Sequence, residues 1–84
     1  MSATKAAFLA AYRARLRAEC DWAEDRAKLD TFMRGVRRTI CGTGATTWSH
    51  DSPLARATWR EMGGGGRYSL KALRALPTGD LPDA

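Results

Sequence analysis

The chain has 84 residues, of which 44% are hydrophobic, 27% charged and 8% aromatic. This length allows one small domain with a thin core and excludes most large enzyme architectures. Fourteen Lys and Arg residues against nine Asp and Glu residues give a net charge of +5, which favours acidic partners such as nucleic acid or an acidic protein surface. The apolar runs are far shorter than the ~20 residues of a membrane span, so we expect no membrane contact and a cytoplasmic location.

The first predicted helix covers residues 3–19, with Ser2 as its N-cap. Its apolar side chains fall within one arc at the helical period, as expected of a helix that faces a core; they are Phe8, Leu9, Tyr12, Leu16 and Cys20. The opposite side carries the alanine stripe, which we define as Ala7, Ala11, Ala14 and Ala18. Alanine is the best helix former at exposed positions, so the stripe indicates either helix propensity or the seam of a homodimer. Monomer and homodimer both stay open.

The second predicted helix covers residues 22–41 and closes at Gly42. Asp21 followed by Glu24 resembles a capping box, and the apolar face carries Trp22, Leu29, Phe32, Met33, Val36 and Ile40. With almost no connector between them, the first two helices are expected to form a long antiparallel hairpin. Cys20 then lies at the bend and Cys41 at the open end, too far apart for a disulfide, so both thiols are expected to be free and packed.

A loop follows at residues 42–51, anchored by Trp48 and with a short extended segment at residues 45–48. Ser52 followed by Pro53 predicts a third helix that runs to about Met62. Four glycines at residues 63–66 end it, and Ser69 caps a fourth helix at residues 70–76, which Pro77 stops. The expected core of these helices comprises Leu54, Trp59, Met62, Leu70, Leu73 and Leu76.

The predicted fold is therefore all-α, a long antiparallel helical hairpin plus a shorter C-terminal helix-turn-helix-like pair. Residues 1–77 form a single helical domain, and residues 78–84 a flexible C-terminal tail. In a helix-turn-helix protein the second helix enters the major groove. Here its turn is several residues too long and the chain contains neither Asn nor Gln, so a plain helical hairpin that closes the core stays open as the alternative.

Positive charge is concentrated after the hairpin bend, where residues 31–77 carry eight cations and two acids. Arg dominates, and its planar guanidinium binds carboxylate or phosphate groups in a bidentate manner. We predict that one connected surface, here called the arginine face, contacts a partner protein or nucleic acid. Its members are Arg34, Arg37, Arg38, Arg56, Arg60, Arg67, Lys71 and Arg74. The alternative is an ordinary solvated helix surface.

The residues that carry chemistry do not form a recognisable catalytic or metal-binding pattern. One His and two Cys residues have no zinc-site spacing. Cys41, His50 and Asp51 include a nucleophile, a base and an acid, but a flexible glycine-containing loop separates the first from the others. The glycine runs lack the Lys-Ser or Lys-Thr of a P-loop. We therefore predict no catalytic residue, no metal, no cofactor and no enzymatic activity.

Residues 46–77 read TTWSHDSPLARATWREMGGGGRYSLKALRALP. This stretch, with Trp48, then Asp51, Ser52 and Pro53, a glycine bend and a Leu-rich close, is similar to small helical proteins encoded by bacteriophages and prophages. Small phage proteins without catalytic groups commonly bind a host machine, and inhibitors of CRISPR immunity are a prominent class of that size. The resemblance therefore implies an anti-CRISPR-like inhibitor whose partner is a host protein complex such as a CRISPR effector.

Two function hypotheses follow. The first is a non-enzymatic, phage-derived inhibitor that binds a bacterial defence complex through the arginine face. DNA-mimicking inhibitors are acidic, whereas this chain is basic, so it is expected to bind an acidic surface, nucleic acid or an apolar patch. The alternative is a nucleic-acid-binding regulator of helix-turn-helix type, and a third possibility is a structural component that assembles through the alanine stripe.

Overall fold

A computed structural model of the chain describes residues 3–42 and 48–81. Within those ranges every regular element is helical, which confirms the predicted all-α class. The elements are α1 at Lys5–Glu19, a 3₁₀ helix at Asp21–Glu24, α2 at Arg26–Cys41, α3 at Pro53–Glu61 and α4 at Leu70–Ala75.

Helix α1 begins two residues later than predicted because Thr4 is its N-cap. The Thr4 hydroxyl accepts a hydrogen bond from the backbone N–H of Ala7 at 3.0 Å, which satisfies one of the free donors of the first turn. Ser2, the cap proposed from the sequence, lies outside the described residues.

The prediction that α2 starts at Trp22 is wrong. Residues Asp21–Glu24 form a 3₁₀ helix, and Asp25 then adopts an extended backbone conformation. Its carboxylate accepts hydrogen bonds from the N–H groups of Ala27 and Lys28. Asp25, not Asp21, is therefore the N-cap, and the interruption turns Trp22 away from the apolar face of α2.

Helices α3 and α4 begin where the sequence places them. The hydroxyl groups of Ser52 and Ser69 accept hydrogen bonds from backbone N–H groups three residues along, at 3.2 and 3.0 Å. Helix α4 ends at Ala75, one residue before the predicted Leu76. Leu76 is extended, with ψ of 146°, because a residue that precedes proline is disfavoured in the helical region.

The core is centred on aromatic side chains of α1. The rings of Phe8 and Tyr12 stack at 5.6 Å, and the Trp48 ring lies 5.5 Å from that of Tyr12. The Trp48 indole N–H also donates to the Tyr12 hydroxyl at 3.3 Å. Trp48 therefore anchors the loop, as predicted, whereas most of the extended segment proposed at residues 45–48 lies outside the described residues.

Most of the predicted core residues are buried, with one clear exception. Trp22 is 39% exposed, because the break at Asp25 removes it from α2. Phe32 and Met62 are only partly buried, as are Leu54, Leu70 and Leu76. Cys41 is exposed rather than packed, although both cysteines are free as expected.

Helix α1 packs against both α2 and α3, and α4 packs against α2. Arg13 of α1 forms an ion pair with Asp30 of α2 at 2.7 Å, and Arg15 of α1 forms one with Glu61 of α3. Arg15 lowers the pKa of the Glu61 carboxyl by hydrogen bonding and charge. The antiparallel hairpin and the helix-turn-helix-like pair stay predictions.

Residues that follow α4 contact the beginning of α1. The N–H groups of Lys5 and Ala6 donate to the carbonyl oxygens of Pro77 and Thr78 at 2.7 and 3.0 Å, and Leu81 packs against the core. Residues 78–81 of the predicted tail thus lie against the domain, while residues 82–84 lie outside the described part of the chain.

Two tryptophan substitutions test the core assignment. Trp59 is 5% exposed and Trp22 is 39% exposed, so Trp59→Ala is expected to lower the free energy of unfolding by about 3–5 kcal/mol and Trp22→Ala by about 1–2 kcal/mol. Urea denaturation followed by far-ultraviolet circular dichroism measures both. Equal losses would contradict the assignment of Trp22 to the surface.

Candidate functional site

A cleft between α3 and the glycines that follow it brings two members of the arginine face together. Arg56 and Arg60 are one helical turn apart on α3, so their side chains emerge on the same side. The cleft has a volume of about 410 Å³ and is lined by Arg56, Trp59, Arg60, Gly63, Gly64, Gly65, Gly66 and Tyr68. We call it the loop cleft, and residues 63–66 the glycine loop.

Three positions of the glycine loop require glycine because of their backbone conformation. Gly63, Gly65 and Gly66 have φ values of +68°, +69° and +66°, a region that side chains with a Cβ atom disfavour. The N–H groups of Gly63 and Gly64 donate to the Arg60 and Trp59 carbonyl oxygens, which ends α3 and folds the chain back over it.

Gly64 is required for a different reason, its close approach to Trp59. A Cβ atom at position 64 would lie 2.4 Å from two atoms of the indole ring. The indole N–H of Trp59 also donates a long hydrogen bond to the Gly66 carbonyl oxygen, at 3.5 Å. The buried Trp59 ring therefore forms the floor on which the loop rests.

Arg56 is held in position from two sides. Its guanidinium forms an ion pair with Asp51 and lies 5.6 Å from the centre of the Tyr68 ring, within the range of a cation–π contact. The Tyr68 hydroxyl donates to the His50 carbonyl oxygen at 2.7 Å. Burial raises the pKa of the Tyr68 phenol, because the charged form is poorly solvated there.

Arg60 and Arg67 differ from Arg56 because their guanidinium groups have no partner among the described residues. Both residues are exposed, and neither forms an ion pair or side-chain hydrogen bond within residues 3–42 and 48–81. Their charge is therefore available to a partner.

The remaining members of the arginine face lie on α2 and α4. Arg34, Arg38 and Lys71 are exposed, while Arg37 is partly buried. Arg74 is committed to the fold, since its Nε donates to the Thr39 carbonyl oxygen near the end of α2 at 2.9 Å, where the helix dipole favours a cation. One continuous surface that joins this group to the loop cleft stays a prediction.

Arg74 also bears on the helix-turn-helix hypothesis. Helix α4 has only six residues, and its second cation is directed at α2. Lys71 is thus the one basic side chain of α4 that is exposed, which leaves this helix poorly equipped to read a major groove.

Two other surface features are exposed. All four residues of the alanine stripe are exposed on α1, and their role in dimerisation stays a prediction.

Trp22 packs edge-on against Phe32 at 5.1 Å and lines a shallow groove of about 640 Å³ with Ala27, Lys28 and Thr31. Sequence reasoning missed this groove because it placed Trp22 in the core.

Within the described ranges no three His, Cys, Asp or Glu residues are placed to hold a metal ion. The same part of the chain contains no helix with the length and apolar character needed to span a membrane. His50 lies near Tyr68, with ring centres 6.0 Å apart, and its carbonyl oxygen serves the structural bond described above.

Comparisons with protein families, with curated proteins and with solved structures find no match to this chain. The similarity of residues 46–77 to phage-encoded proteins therefore stays a prediction. What the protein does has to be inferred from its own side chains.

Sequence reasoning identified Arg56, Arg60 and Arg67 but missed the residues that hold Arg56 and the glycine loop. Tyr68 and Asp51 hold Arg56, and Gly64 fits against Trp59. The available signal was an aromatic residue two positions after the glycine run, since a ring so close to a bend can pack back on the preceding helix.

The Trp59–Gly64 contact predicts the effect of Gly64→Ala. The added methyl group has to displace the indole, so we expect a loss of about 1–3 kcal/mol in unfolding free energy and a changed near-ultraviolet circular dichroism spectrum. Gly65→Ala is the control: nothing lies within 4 Å of its Cβ, so backbone strain lowers stability while the tryptophan spectrum is retained. An unaltered spectrum for Gly64→Ala would refute the contact.

The raised pKa of Tyr68 predicts a loss of stability in alkali. The unfolded chain releases this phenolic proton near pH ~10 and the folded chain only at higher pH, so the contribution is complete below pH ~10 and declines above it. Tyr68→Phe is expected to be about 1 kcal/mol less stable at neutral pH. Its deficit relative to the unsubstituted protein should shrink in urea titrations at about pH 11, and a deficit independent of pH would contradict the assignment.

Proposed function

We propose that the protein is a non-enzymatic, phage-derived inhibitor that binds a bacterial defence complex, such as a CRISPR effector, in the cytoplasm of the host cell. It acts by occupying a surface of that complex with its arginine face. The free, exposed guanidinium of Arg60 beside the loop cleft is the observation that carries the proposal. It provides a charged anchor on a rigid helix next to a pocket.

Three features support binding rather than turnover. The exposed side chains that line the loop cleft are those of Arg56 and Arg60, whose guanidinium groups bind anionic groups of a partner. Arg56 is already oriented by Asp51 and Tyr68, so little side-chain freedom is lost on binding. The net charge of +5 steers the protein towards acidic surfaces and raises the association rate.

Nucleic-acid binding is the second candidate, and one observation favours it. Arg67 directly follows the glycine loop and Arg60 lines the loop cleft, so positive charge lies close to exposed backbone, an arrangement that suits phosphate groups. The six residues of α4 and the commitment of Arg74 to α2 argue for contacts with the phosphate backbone in this case, without reading of base edges.

Affinity purification from a phage-susceptible bacterial lysate tests the proposal. Tagged protein is expected to retain a defined protein complex, and Arg60→Glu is expected to reduce recovery at least tenfold, since it removes a favourable charge and adds a repulsive one. The control is Arg17→Glu, an equal charge change at an exposed residue of α1 outside the arginine face. Circular dichroism verifies that both variants fold.

Nuclease treatment of the lysate separates the two candidates. A protein inhibitor keeps its partner complex after digestion of accessible DNA and RNA. Loss of every partner after digestion would instead support the nucleic-acid regulator, for which retardation of an unrelated duplex should fall steeply with salt. If Arg60→Glu and Arg17→Glu lowered recovery equally, net charge alone would explain the interaction. That result would contradict the role of the arginine face.

A further inference from the structure

We propose that the loop cleft is a phosphate-binding site, in which the guanidinium groups of Arg56 and Arg60 and the backbone of the glycine loop hold one phosphate group. This proposal rests on the proposed function for its biological meaning. It adds the chemical group that the cleft binds. Nucleic-acid backbone and free phosphate compounds share that group.

The first support is the placement of the two guanidinium groups. Residues four apart on a helix have Cβ atoms about 5–6 Å apart, and both side chains line the same cleft. Each guanidinium carries five N–H donors in a planar fork. Two such forks on adjacent turns can contact different oxygen atoms of one tetrahedral anion, which offers more acceptors than a carboxylate.

The second support is independent and comes from the backbone. Gly65 and Gly66 line the cleft without side chains, and within the described residues their N–H groups have no hydrogen-bond acceptor. Consecutive backbone N–H groups at turns with positive φ are a recurrent way to build anion-binding concavities. The glycine loop thus supplies donors that the described residues leave unused.

Asp51 lowers the positive charge of the site but leaves donors of Arg56 available for a ligand. It neutralises Arg56 through one terminal nitrogen, which leaves the remaining donors of that guanidinium for a ligand. Arg60 contributes a positive charge with no carboxylate partner in residues 3–42 and 48–81. The cleft therefore keeps a net positive charge, while Asp51 and the Tyr68 ring hold Arg56 ready.

The cleft is large enough to admit a phosphate group. Its volume of about 410 Å³ is in the range of ligand pockets, about 300–1,000 Å³.

Titration of the ¹⁵N-labelled protein with inorganic phosphate tests the site by NMR. We expect the amide signals of Gly65 and Gly66 to shift in a saturable manner, and chloride at equal ionic strength to leave them in place. Arg60→Gln should weaken phosphate binding at least tenfold. Arg17→Gln, a matched change at an exposed position of α1 outside the arginine face, should leave the affinity within twofold.

Equal weakening by both glutamine variants, or the same shifts with chloride, would overturn the proposal. Arg60→Gln should fold as the unsubstituted protein does, because this exposed side chain forms no ion pair or hydrogen bond within the described residues.

A second pair of titrations identifies the source of the phosphate. A short single-stranded oligonucleotide that shifts the same amides at lower phosphate concentration assigns the site to a nucleic-acid backbone. Shifts with inorganic phosphate and a nucleotide but not with the oligonucleotide assign it to a free phosphate compound. Oligonucleotide binding that Arg60→Gln leaves unchanged would overturn the site.

Different outcomes refute the phosphate site and the proposed function. Recovery of a host complex by a protein that shows no phosphate-dependent shifts would refute the phosphate site and leave the inhibitor intact. Phosphate binding at the loop cleft without any recovered complex would refute the inhibitor and leave the site.

Discussion

Burial of the aromatic face of α1 is the interaction on which the domain depends. Phe8 and Tyr12 are almost completely buried, and α1 is the element that contacts both α2 and α3. Trp48 closes this cluster from the loop side with a ring contact and a hydrogen bond. In so short a chain there is little apolar surface elsewhere to replace it, so the position of α3, and with it the loop cleft, follows from how α1 is packed.

Trp59 connects the core to the surface because it contributes to both. This side chain belongs to the buried cluster, while the atoms shared by its two rings support Gly64 and the glycine loop. The arginines of α3 therefore stand on a helix whose inner side is fixed by the core and whose end is fixed by the loop. A binding site placed on such rigid elements loses little entropy when a partner arrives.

Local signals in the sequence predict the parts of this structure that local physics determines. Ser52 and Pro53 mark the start of α3 because capping and the fixed φ of proline act within one turn. The exposure of Trp22 was not predictable in this way, since it depends on whether Asp21 or Asp25 caps the helix. Arg74 illustrates a third case: nothing near it in sequence reveals the Thr39 carbonyl oxygen that it binds. The cations of the site could be named from charge, whereas Tyr68 and Asp51 required the fold that places them beside Arg56.

The contact between residues 77–78 and the first turn of α1 has a consequence for the order of folding. The N–H groups of Lys5 and Ala6 find their acceptors in Pro77 and Thr78, which lie more than seventy residues further along the chain. Bringing such distant segments together costs loop-closure entropy, whereas the turns within α1 form between near neighbours. The start of α1 is therefore expected to be secured later in folding than the body of the same helix.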